Sequence, residues 1–199
     1  MIREIIFDIE TKKSFEEVGG HDNLAKLGVS IAGAYFYEDN LYRAFEEKDM
    51  PEFEEQLLKA DRIIGFNINH FDIPVLLPYF HDERIRSIPC LDLFEEITKK
   101  LGHRVSLDSL AQATLGAKKS ADGLAALRWY KEGNIEAIKK YCLDDVRITK
   151  ELYEYGKKHG KLFYTSYFKT EKMSVAADWG DILPSFGGRV AMGFQGRLL

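Results

Sequence analysis

The chain has 199 residues, 45% hydrophobic and 30% charged, which is the size and balance of one ordinary folded domain and excludes a disordered or collagen-like chain. Its two cysteines, Cys90 and Cys142, lie too far apart in sequence for a disulfide framework or a zinc site, and no apolar run approaches the roughly 18 residues of a membrane span, so a cytoplasmic protein with no membrane role is expected. A net charge of −4 argues against coating of nucleic acid by bulk electrostatics, although four carboxylates engaged by divalent metal would neutralise that whole excess.

The first residues, Met1-Ile2-Arg3-Glu4, lead straight into a strand pattern over Ile2 to Ile9 and not into a signal peptide. This run is mostly apolar and rich in β-branched residues, as expected of a strand covered on both faces. The polar stretch from Thr11 to Asn23, with Gly19-Gly20, reads as a loop or flap. Leu27 to Tyr37 and Asn40 to Phe45 are strand-like, joined by a turn at Glu38-Asp39-Asn40. Asp49-Met50-Pro51-Glu52 combines a capping residue, an early proline and an acid, which opens a helix to about Ala60. Arg62 to Phe66 is a short buried strand, and a helix is predicted from Phe71 to Phe80 with Pro74 in its first turn. Four more helices follow: Asp92 to Leu101, Leu107 to Leu115, Leu124 to Lys131, and Ile135 to about Lys158. Beyond Gly160 the composition changes. Phe163 to Phe168 and Met173 to Ala176 resemble two short strands of a hairpin, and the stretch from Asp181 is glycine-rich and ambiguous.

Three features carry chemistry. Asp8 and Glu10 are two residues apart on a strand, so both carboxylates point to one face at the end of an apolar run. They read either as metal ligands or as a solvated strand end. Asp72 opens the helix after Gly65-Phe66-Asn67-Ile68-Asn69-His70-Phe71, as a cap or a ligand. Tyr141 and Asp145, four residues apart, share one face of the long last helix. A tyrosine hydroxyl beside a carboxylate can orient a metal-activated water, whereas the plain alternative is an amphipathic helix with its tyrosine in the core.

In this order and on these elements, the segments resemble the three exonuclease motifs of the DEDD superfamily, whose ribonuclease H-like fold carries a two-metal 3′-to-5′ exonuclease site. The wording is closest to the proofreading exonuclease domains of family B DNA polymerases, in Phe7-Asp8-Ile9-Glu10-Thr11, Gly65-Phe66-Asn67-Ile68 with Phe71-Asp72-Ile73-Pro74, and Tyr141-Cys142-Leu143 with Asp145. Stand-alone YprB-type ribonuclease H-like proteins are similar in length. The resemblance covers about Ile2 to Glu154. Sister enzymes with a histidine base carry it five residues before the last aspartate, where this chain has Lys140, so the resemblance is to the tyrosine variant, DEDDy. Asp144 is expected to face solvent or a basic partner, and His70 to be a surface or supporting residue.

The resemblance implies an α/β fold in which three antiparallel strands are followed by parallel ones in a mixed sheet flanked by helices. It places a ribonuclease H-like domain at residues 1–159 and leaves 160–199 as a small extension, a hairpin packed on the domain or a docking segment. It implies two divalent ions, Mg²⁺ or Mn²⁺, with Asp8 bridging both, Glu10 and Asp145 completing the first site, Asp72 binding the second through water, and Tyr141 positioning the attacking water. The implied substrate is a single-stranded 3′ end, DNA slightly favoured over RNA, with nucleoside 5′-monophosphates as products. Lys118, Lys119 and Arg128 are candidate phosphate contacts, and Lys99, Lys100, Arg104 and Lys131 are further basic residues that a solvated helix face would equally explain. Thr11, Asn67 and Phe71, within the motifs, are further candidates for contact with the strand. Phe66, Phe71 and Trp129 could stack on a base, although each could equally serve the core. Competing readings are a recruitment module for a helicase or polymerase, using the aromatic tail, and a ribonuclease H-like endonuclease.

Overall fold

The computed structural model describes residues 2–117, 123–165 and 171–180. The Lys118-Lys119 pair, the Ser166 to Phe168 end of the first C-terminal strand and the stretch from Asp181 lie outside them.

Five strands form one sheet in the order β3-β2-β1-β4-β5, from β1 (Glu4–Thr11), β2 (Val29–Phe36), β3 (Leu41–Glu46), β4 (Arg62–Gly65) and β5 (Cys90–Asp92). The first three are antiparallel neighbours, and β4 and β5 add in parallel, which is the expected mixed sheet. Six α-helices are described: α1 (Met50–Leu58), α2 (Asp72–Leu76), α3 (Leu93–Leu101), α4 (Leu107–Leu115), α5 (Gly123–Lys131) and α6 (Ile135–His159). A hairpin of β6 (Lys161–Thr165) and β7 (Lys172–Ala176) follows. Among the described residues no helix is long and apolar enough to cross a membrane.

The alternation of β1 organises the core. Its odd residues, Ile5, Phe7 and Ile9, are buried with Phe53 and Leu57 of α1 and with Val75 and Leu76 of α2. Its even residues face α6, where Ile6 joins Val146, Ile148 and Leu152 in a second cluster. That cluster also takes in Leu162, Tyr164, Val175, Ala177 and Trp179, so the C-terminal hairpin packs on the helical face of the domain. The Trp179 indole Nε1 donates to the Tyr153 carbonyl at 2.9 Å.

Glu4 begins the same even row and is only 9% exposed. It pairs in register with Arg62 across the parallel β1–β4 ladder, and the two side chains form a buried ion pair. Tyr153 closes the group, its hydroxyl 2.6 Å from an Arg62 guanidinium nitrogen and 2.9 Å from a Glu4 oxygen.

Several elements differ from the sequence reading, and the first hairpin strand, predicted from Phe163, begins at Lys161. The helix predicted over 71–80 is α2 followed by a separate 3-10 turn over Leu77–Tyr79, because Pro78 has no N–H to carry the helical ladder onward. The strand predicted from Leu27 begins at Val29, after a 3-10 stretch over His21–Lys26. Strand β5 is three residues long, too short for periodicity to reveal.

Candidate metal centre and its cleft

Asp8 and Glu10 stand on the α6-facing side of β1, as their spacing requires, and α6 brings Asp145 against them. One carboxylate oxygen from each of these three residues lies within 4.8 Å of the others. The site forms because β1 and α6 pack directly, and Cys142, one turn before Asp145, is one of the residues in contact. Its buried thiol donates to the Asp8 carbonyl at 3.4 Å and lies 3.8 Å from Asp8 Oδ2. Burial pushes this thiol up, and the neighbouring Asp8, Glu10 and Asp145 charges push it further, so it stays protonated and able to donate.

Asp72 is brought to the same strand but not into that trio. It does not cap α2, whose N-cap position is Phe71. Its Oδ1 instead accepts the Ile9 N–H at 3.0 Å, between Asp8 and Glu10. The β1–β4 pairing ends at Ile6 with Ile64, so beyond it the β4 side of β1 is open and Asp72 takes the place of a strand partner. Burial pushes the Asp72 carboxyl up to about 8; the Ile9 and Asp72 backbone N–H groups oppose this, and the nearby Asp92 charge adds to it.

The turn that delivers Asp72 depends on residues the motif reading did not explain. A Cβ on Gly65 would collide with the Ile68 side chain, so this turn requires glycine at 65. Asn67 sits at φ 68°, a conformation asparagine tolerates. Asp92, at the end of β5, gathers the turn: Oδ1 accepts the Asn67 N–H at 2.8 Å and Oδ2 the Asn69 N–H at 3.0 Å, while Oδ1 also caps α3 through Phe94. No motif marked Asp92, since its partners are assembled only by the fold.

Asp8 and Asp145 open onto a cleft of about 570 Å³. Phe66, Asn67 and Phe71 line it, as the motifs suggested, together with Phe15 and His21 from the stretch read as a loop or flap and Phe94 from α3, none of which the sequence reading marked as site residues. Phe71 meets Phe15 edge-on at 5.9 Å, and Phe66 meets Phe94 at 5.4 Å. His70 is exposed at the rim, 3.2 Å from Glu95.

Tyr141 is 3% exposed and packs edge-on against Trp129, with ring centroids 6.0 Å apart. It lines a neighbouring groove of about 650 Å³ together with Tyr42, Lys140, Asp144 and Arg147. Asp144 meets a basic partner as expected, 2.7 Å from Arg147. The Thr11 hydroxyl donates to the Lys13 carbonyl at 3.0 Å, and neither Thr11 nor the exposed Arg128 of α5 is among the residues lining the cleft. Lys118 and Lys119 lie outside the described residues.

Three carboxylates offer only hard oxygen donors, the set that Mg²⁺ and Mn²⁺ prefer over softer metals. The donor chemistry therefore fits a divalent cation. No curated protein matches the chain. A family model described as RNase_H superfamily matches residues 5–156.

Proposed function

The chain belongs to the RNase H superfamily, and we propose that it is a two-metal-ion 3′-to-5′ exonuclease of the DEDDy type, hydrolysing single-stranded nucleic acid to nucleoside 5′-monophosphates with DNA modestly preferred over RNA. The observation that carries this reading is the convergence of Asp8, Glu10 and Asp145 within 4.8 Å, beside an open cleft with aromatic walls. Membership of the superfamily supports nuclease activity and the use of divalent metal.

When bound, the ions would supply an acidified water and charge to stabilise the leaving oxygen. The chain's own residues do the rest. Asp8, Glu10 and Asp145 would hold the ions. Asp72, fixed to β1 through the Ile9 N–H, would be a further carboxylate for holding a divalent ion. Tyr141, one turn before Asp145 on α6, orients the attacking water. The rings of Phe66 and Phe71 give a terminal base surfaces to stack against.

The test is degradation of 5′-labelled single-stranded DNA and RNA of one sequence with Mg²⁺, Mn²⁺ or EDTA, comparing wild type with Asp8→Ala and including 3′-blocked and circular controls. A metal-dependent ladder shortening from the free 3′ end and absent in the variant is expected. Cleavage of circular substrate would replace the exonuclease with an endonuclease, and binding without cleavage of any substrate would favour a recruitment module.

A further inference from the structure

Arg104 lines the same cleft as Asp8 and Asp145, and it is the one lysine or arginine among the described lining residues. It is exposed, and among the described residues no carboxylate lies within ion-pair distance of its guanidinium. Its guanidinium instead lies over the Phe94 ring, 5.7 Å from the centroid, and Phe94 in turn braces Phe66.

The backbone around it is held on both sides. Gly102 ends α3, Ser106 caps α4 by accepting the Ser109 N–H, and Val105 and Leu107 are each 7% exposed. A long cationic side chain on an anchored three-residue link, resting on an aromatic face, is partly ordered before any ligand arrives.

A polyanion lying in this cleft passes close to Arg104, whose positive charge attracts phosphate oxygens. A guanidinium resting over an aromatic ring, with no carboxylate partner among the described residues, has N–H groups available for a planar, two-point contact with phosphate oxygens. We propose that Arg104 is a positioning residue that grips a backbone phosphate of a single nucleic-acid strand lying in the cleft. This deepens the nuclease reading and rests on the cleft being the substrate site.

The experiment measures binding of a fluorescent single-stranded oligonucleotide by anisotropy, in EDTA so that no hydrolysis enters, across about 50 to 200 mM salt. Wild type, Arg104→Gln and Arg104→Lys are compared, with melting temperatures to verify folding. One lost phosphate contact lowers the slope of log K against log salt by about 0.7 for a single strand. Arg104→Gln is expected to show that loss, with a raised KM in the hydrolysis assay. Arg104→Lys should restore the slope, because the charge returns, while leaving KM raised, because the two-point contact does not. An unchanged slope in Arg104→Gln, or no binding by wild type, would overturn the proposal. Hydrolysis by wild type with an unchanged Arg104→Gln slope would leave the nuclease reading intact and remove only Arg104. A slope change without hydrolysis by wild type would do the reverse.

Discussion

Gly33 stands opposite Asp8 in the β1–β2 ladder, and a Cβ built on it would lie 2.9 Å from Cys142 Sγ. The missing side chain is what lets α6 approach β1 closely enough for Asp145 to join Asp8 and Glu10. Leu143 and Val146 crowd the same point, at 3.2 and 3.3 Å, so an added methyl group has no soft direction in which to move.

Gly33→Ala is therefore expected to destabilise the fold by about 1–3 kcal/mol, the range for overpacking a well-filled core, and to depress hydrolysis at temperatures where the variant is still folded. Urea denaturation and initial rates measure the two effects. Adding Cys142→Ala makes room and should recover part of both. A single variant with unaltered rate would show that the trio tolerates a displaced helix.

Three carboxylates within 4.8 Å repel one another when no cation is present. Asp8→Asn removes one charge at nearly constant shape, so it should raise the melting temperature in EDTA while abolishing hydrolysis. Wild type should melt higher on adding Mg²⁺ or Mn²⁺. A ligand at about a hundred times its Kd contributes about 2.7 kcal/mol, roughly 5–10 °C for a chain of this size. The variant should lose most of that rise. A wild type indifferent to both ions would count against the metal centre.

Much of this centre was legible because it is built from local rules. The two-residue spacing of Asp8 and Glu10 fixes a common face, and the helical pattern of residues 135–158 carries Asp145 wherever α6 goes. What stayed hidden was what depends on distant segments meeting. Asp92 begins a predicted helix, and only the fold shows that it both caps α3 and is the acceptor that shapes the Asn67 turn. Gly33 is one small residue in an apolar strand until Cys142 lies against it. Asp72 was readable as a cap or a ligand, but its bond to Ile9 requires knowing where β4 stops. Phe15 and Phe94 come from a loop and a helix start, neither of which announces a wall of the cleft.

The state of Asp72 gives a pH dependence with a definite sign. Its carboxyl is raised by burial from an ordinary 3.8 to about 8, so the folded chain holds this proton more tightly than the unfolded chain does. The resulting stability is fully present below about pH 4 and is lost as pH rises toward about 8. In metal-free buffer, Asp72→Asn should flatten the fall in stability across that window, because the amide cannot ionise and can still accept the Ile9 N–H. Parallel stability curves for wild type and variant would show that Asp72 titrates normally.

The Glu4–Arg62–Tyr153 group should separate stability from catalysis. Tyr153 lies eight residues beyond Asp145 on α6, about 12 Å along the helix axis. Arg62→Met leaves the Glu4 carboxylate buried without its cation and also withdraws the donor that reaches the Trp179 and Gly180 carbonyls at 3.4 and 3.3 Å. Removing one partner of a buried pair costs about 3–5 kcal/mol. Replacing both, as Glu4→Gln with Arg62→Met, should cost less than the single change, because no lone charge remains. At a temperature where each variant is folded, kcat should stay near the wild-type value, since the group touches neither the trio nor the cleft. Equal destabilisation by the single and double variants would mean that Arg62 acts mainly through the C-terminal carbonyls, and thus that anchoring Trp179 matters more than neutralising Glu4.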